Sequence, residues 1–122
     1  GQRQRAMAAA EARHAEGLSE QRALELRAAL STVLHDLHHA RERVEILRGQ
    51  VLPTFEELEA AQSLAVDAGE GTEPELLLAR RRRIAVARRL VEADAELVWS
   101  QVQAWLFLEA FAAAEAGEEA GS

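Results

Sequence analysis

Asp67-Ala68-Gly69-Glu70-Gly71-Thr72-Glu73-Pro74-Glu75 is the stretch of this 122-residue chain in which every local signal ends one helix and begins another. Gly69 suits the left-handed residue that closes a helix, a conformation that costs an L-residue with a Cβ roughly 1 kcal/mol. Thr72 is an N-cap candidate, Pro74 then falls at the second helical position, and Glu73 and Glu75 place acids in the first turn. The segment joins one helix end that leaves carbonyls unsatisfied to another that leaves donors unsatisfied.

Upstream of this break, from Gln2 to Ala65, there is no Pro-Gly turn and no alternating stretch, and apolar residues recur at spacings of three and four. Heptad position a falls on Ala23, Leu30, Leu37, Val44, Val51, Leu58 and Ala65, and position d on Leu26, Val33, Ala40, Leu47, Thr54 and Ala61. The seam predicts a helix over about 2–67. At 1.5 Å per residue it spans about 95 Å and needs a partner helix to cover its apolar side. Gly17 weakens it by about 1 kcal/mol relative to Ala. Pro53 removes a backbone donor and crowds the carbonyl of Gly49, so a bend is expected between those two residues.

Downstream, a second helix is expected over about 74–116, followed by a flexible tail over 117–122. The expected fold is therefore all-α, a long antiparallel, coiled-coil-like hairpin over 1–116 with its turn at about 68–73. The second helix carries two apolar stripes. One is Leu77, Ile84, Val91, Ala95, Val98, Val102, Trp105 and Ala112; the other is Leu76, Val86, Leu90, Ala93, Leu97, Ala104, Leu108 and Phe111. Together they are wider than one antiparallel partner can bury, which points to a further helical neighbour and to self-association.

Composition agrees. Hydrophobic residues make up 48% of the chain, enough to argue against disorder. The richness in Ala, Leu, Glu and Arg is that of long helices. All 14 basic residues are arginine against 21 acids, a net charge of -7 that disfavours non-specific nucleic-acid binding. No cysteine is present, so disulfides and thiol chemistry are excluded. No apolar run reaches the roughly 18 residues of a membrane-spanning helix, and the opening residues lack the apolar core of a signal peptide.

Four groups of residues carry possible chemistry. His35, His38 and His39 fall on heptad positions f, b and c, away from the seam, so they read as a solvated face, the alternative being a weak metal site; no metal and no cofactor are assigned. Arg80 to Arg83 with Arg88 and Arg89 form a basic block whose four consecutive members point to every side of a helix, which favours ion pairing with Glu73, Glu75 and the acids of the first helix over partner docking, nucleic acid or membrane. Trp99, Trp105, Phe107 and Phe111 crowd the end of the second helix, either as packing residues or as a membrane-interface belt. Ser19, Ser31, Ser63 and Ser100 have no glycine elbow, the carboxylates do not converge, and no phosphate-binding loop is present, so no enzyme is expected and no catalytic residue is assigned.

The order of the motifs resembles that of a known family. An alanine-rich start over Arg5–Arg13, the descending Arg41-Glu42-Arg43-Val44-Glu45-Ile46-Leu47-Arg48-Gly49-Gln50-Val51-Leu52-Pro53, then Glu56-Glu57-Leu58, Ala68-Gly69-Glu70 and Glu75-Leu76-Leu77-Leu78-Ala79-Arg80-Arg81 are similar to the TolC-like outer membrane efflux proteins. The resemblance extends over most of the chain and matches only the second helical hairpin of that family, so the chain reads as a segment of a longer protein.

The resemblance implies a non-catalytic duct in the periplasm and outer membrane of a Gram-negative bacterium. Such ducts are trimers that export substrates together with a periplasmic adaptor and an inner-membrane transporter. It also implies that the tip residues Gly69, Glu70, Gly71 and Thr72 meet the adaptor, and that Glu75 lines the closed aperture. Val66 stands where the family usually has an aromatic, and Leu78 where some members carry a second acid. The competing expectation is a soluble coiled-coil dimerisation or scaffolding module unrelated to transport.

Overall fold

A computed structural model describes residues 1–121 of the chain, with side chains described through residue 117. The fold is an all-α helical hairpin. Its elements are α1 (Gln2–Ile46), a π-helical turn (Leu47–Val51), α2 (Leu52–Asp67) and α3 (Glu73–Gly121). The turn between α2 and α3 lies where the glycines and the capping threonine place it. Packing divides the chain into two units, Gly1–Leu34 with Ala104–Ser122, and His35–Gln103. No described helix is long and apolar enough to cross a membrane.

The disturbance expected between Gly49 and Pro53 is the π turn. The Leu52 N–H bonds to the Leu47 carbonyl, five residues back, so the backbone takes in one residue more than an α-turn holds. Pro53 then falls in the first turn of α2, where a missing N–H is tolerated. The Thr54 hydroxyl donates to the Gln50 carbonyl at 2.7 Å and satisfies an acceptor beside the disturbed stretch.

The extra residue rotates everything after it by one position. Before the π turn the expected seam holds. In the first unit Leu26, Leu30 and Val33 are half-buried, although Ala23 at the start of the seam is exposed; in the second, Ala40 and Val44 are buried and Leu37 and Leu47 half-buried. After the turn Leu52, Phe55, Glu59, Gln62 and Val66 are half-buried, together with Pro53, Ser63 and Ala65; Val51 within the turn and Ala65 keep the half-buried places the heptad gives them. The seam expected at Thr54, Leu58 and Ala61 is displaced outward, and Leu58 is 51% exposed. A heptad count carried through an α-helix cannot anticipate this, because it assigns no extra residue to a proline that the helix accommodates by widening.

On α3 the second apolar stripe faces the hairpin. In His35–Gln103 its Leu76, Val86, Leu90 and Ala93 are buried, joined by Ser100, and a core of Val44, Leu90 and Ala93 is packed by Leu47, Leu52 and Leu97. In the other unit Ala104 is buried and Phe107 and Phe111 are half-buried. Among the described residues no large side chain is completely enclosed, as expected where one helix covers another from one side only.

Ion pairs fix the level at which the helices of His35–Gln103 meet. Arg43 bonds Glu96 at 2.7 Å, Arg48 bonds Asp94 at 2.6 Å, and Glu59 receives both Arg80 and Arg83. The first two pairs are more than 40% exposed on each side and contribute about 0.2–1 kcal/mol each, so they align the helices more than they hold them.

Two boundaries differ slightly from expectation. The last helix begins at Glu73, and it runs to Gly121 rather than stopping near 116. Gly117 does not end it, since one glycine costs about 1 kcal/mol and its alanine and glutamate neighbours favour helix. The flexible tail expected over 117–122 falls largely on residues 118–122, whose side chains, with Ser122 as a whole, lie outside the described residues.

Gln62 records the shift in register. Its Oε1 is buried without a hydrogen-bond partner, a state that costs about 1–3 kcal/mol. Gln62→Leu is expected to raise unfolding free energy by about 1 kcal/mol in urea titration, whereas a seam through Ala61 would leave position 62 indifferent.

Candidate functional site

The tip is a closed, hydrogen-bonded structure. Gly69 has a φ of +77° and is the left-handed residue after α2. The Glu70 N–H donates to the Ala65 carbonyl at 2.8 Å, and the Gly69 N–H to the Val66 carbonyl at 3.0 Å. This paired arrangement defines a Schellman closure and satisfies carbonyls that the helix end leaves open. Gly71 adds a second donor to Ala65 at 3.0 Å.

On the far side Thr72 begins α3. Its Oγ1 accepts from the Glu75 N–H at 3.3 Å while its carbonyl accepts from the Leu76 N–H at 3.1 Å. Gly69, Glu70, Thr72 and Glu75 are exposed and Gly71 is half-buried. The five residues implicated by the resemblance are thus gathered in one turn and the helix start that follows it.

Gly71 has a role that sequence reading leaves unassigned. A Cβ placed there would lie 3.0 Å from the Ala65 Cβ and 3.2 Å from the Val66 backbone nitrogen. The returning chain passes this close to α2 only because the residue has no side chain. Gly69 differs, since a Cβ there meets nothing within 4 Å and the demand is one of backbone conformation alone.

The basic block divides by partner. Arg80 and Arg83 clasp Glu59, whose side chain is 21% exposed, and among the described residues neither Glu73 nor Glu75 pairs with the block. Glu59 is one of the first-helix acids expected to pair with the block, and the π turn brings it into a seam position where an apolar residue was expected. Arg81, Arg82, Arg88 and Arg89 remain on the exposed surface.

One apolar line faces outward from His35–Gln103, on α3: Leu77, Ile84, Val91 and Val98, seven residues apart, with Val91 69% exposed. On α2 Leu58 and Leu64 are also exposed, about 120° apart around the helix. Ile84 and Val91 edge a shallow groove with Ala87, Arg88 and Glu92. The aromatic group separates. Trp99 and Trp105 are exposed, whereas Phe111 borders a groove with Leu18, Ala23 and Leu26.

His35, His38 and His39 lie on the exposed face of α1, as the heptad places them. The Nε2 atoms of His35 and His39 are 3.0 Å apart. Among the described residues no group of three or more His, Cys, Asp or Glu is arranged to hold a metal ion.

Searches among protein families, curated proteins and solved structures find no match to this chain.

The tip geometry sets expected stabilities. Gly69→Val should cost at least about 1 kcal/mol through its positive φ. Gly71→Val should cost at least as much through the clash with Ala65, and Thr72→Ala about 1 kcal/mol through the lost cap. Urea titration monitored by circular dichroism measures all three; equal stability of Gly71→Val and the parent chain would refute the close approach.

Proposed function

We propose that the chain is a wall element of a TolC-like outer membrane efflux duct, a non-catalytic hairpin whose work is to pack beside further hairpins and shape a pore. The observation that carries this reading is the outward apolar line of α3 within His35–Gln103, Leu77, Ile84, Val91 and Val98. A scaffold that dimerises through one seam needs one apolar face. Here α3 uses one face on its hairpin partner and retains a second, and α2 leaves Leu58 and Leu64 exposed. Leaving large apolar side chains in water forfeits roughly 1.5–3 kcal/mol apiece, which supports a lateral neighbour for α3. Unlike faces that meet head to tail generate a ring when the rotation closes.

In this reading the full-length protein is a trimer at the outer membrane and in the periplasm of a Gram-negative bacterium. The tip Gly69, Glu70, Gly71 and Thr72 meets a periplasmic adaptor, Glu75 faces the closed aperture, and an inner-membrane transporter selects the substrate. The order of the proline, the glycine turn and the leucine pair supports this placement. The exposed, internally satisfied tip is suited to end-on contact, since its backbone groups are largely spent within the turn and its side chains are left for a partner.

Sedimentation at micromolar concentration tests the assembly. Species larger than 13.4 kDa are expected, and Val98→Glu or Val91→Glu should reduce them without loss of helicity. Leu97→Glu should instead damage the hairpin, because Leu97 packs on the Val44, Leu90 and Ala93 core. In cells whose drug or metal resistance depends on the full-length protein, Gly69→Val and Glu75→Arg should lower resistance at normal outer-membrane abundance. Self-association with unchanged resistance in both variants favours the coiled-coil scaffold, and a strictly monomeric chain removes the wall reading.

A further inference from the structure

We propose that His35 and His39 form a two-nitrogen clamp for a divalent transition metal of tetragonal preference, Cu(II) ahead of Ni(II). Four residues apart on one helix, the two imidazoles share a face of α1. Their rings meet edge to face, with centroids 4.3 Å apart and planes at 85°, and the two Nε2 atoms converge to 3.0 Å. Imidazole nitrogens sit about 2.0–2.1 Å from such metals, so two of them at a right angle lie about 3.0 Å apart, against about 3.4 Å at a tetrahedral angle. The two nitrogens are therefore already close to the separation at which one ion bridges them. The general order of divalent affinities places copper first.

In the metal-free pair one Nε2–H donates to the other Nε2, so metal binding requires the donor ring to carry its proton on Nδ1 instead and free the Nε2 lone pair. Glu42 Oε2 lies 3.8 Å from His39 Nδ1 and adds a negative charge beside the pair.

His38 stands beside the pair, its ring centroid 6.0 Å from that of His39. Because the described residues offer no third ligand in place, water or another exchangeable group completes the coordination. The clamp is thus an open loading site and not a structural metal centre. It rests on α1 alone and does not depend on the duct reading.

The test uses the purified chain and copper(II) sulfate as the probe. Calorimetry should show one copper bound per chain, with an axial paramagnetic resonance spectrum carrying nitrogen hyperfine structure. His35→Ala and His39→Ala should each weaken binding at least about tenfold, and Ni(II) should bind more weakly than Cu(II). His14→Ala and His38→Ala should leave copper affinity unchanged; all four positions are exposed on the helix, and circular dichroism checks that the variants stay helical. Undiminished copper binding in the double variant His35→Ala/His39→Ala would overturn the proposal, as would a loss in His38→Ala equal to that in His39→Ala.

Discussion

One additional residue in the backbone governs the hairpin within His35–Gln103. Pro53 cannot donate, and its ring would crowd the Gly49 carbonyl in a regular α-helix. The chain answers by widening at Leu47–Val51, with Leu52 bonded to Leu47 across five residues. Pro53 then stands at a helix start, where its missing donor does no harm. The cost is carried elsewhere, because each following side chain turns by about one residue's worth of helix rotation. Glu59 and Gln62 consequently enter a seam that would otherwise hold Leu58 and Ala61.

That rotation explains two features that look unrelated. Glu59 is drawn towards α3 and gathers Arg80 and Arg83, so a charged cluster replaces part of an apolar seam. Leu58 is turned out and left 51% exposed. On α3 the seam residues and the outward line run side by side, Leu76 beside Leu77 and Leu90 beside Val91, so one helix serves two faces. With no large side chain fully enclosed among the described residues, the interior remains thin. A second layer of helices would supply the burial that one hairpin cannot, and this links the packing to the proposed wall.

The tip has the opposite character. Its hydrogen bonds are local, its conformation follows from Gly69 and Thr72, and its closeness to α2 follows from Gly71. It therefore needs no distant contact to take its shape, and Glu70 and Glu75 are exposed at this end of the hairpin. The histidine pair is equally local, since helix geometry alone places positions four apart on one face.

The sequence by itself determined the helices, their break at 68–72, the Gly69 closure, the Thr72 cap and the seam up to Leu47, because these depend on spacing and backbone chemistry within a few residues. It also located the disturbance between Gly49 and Pro53. Tertiary structure decided how that disturbance is resolved, and with it which face of α2 is inside. It also decided which of the two apolar stripes of α3 faces the hairpin. Glu59 as an arginine clasp, the close pass of Gly71 against Ala65 and the 3.0 Å approach of two imidazole nitrogens belong to the same class. The physical reason is that a helix with two usable apolar faces has no local preference between them. The choice falls to the partner helix and to the hydrogen bond, from Leu52 to Leu47, that sets the phase.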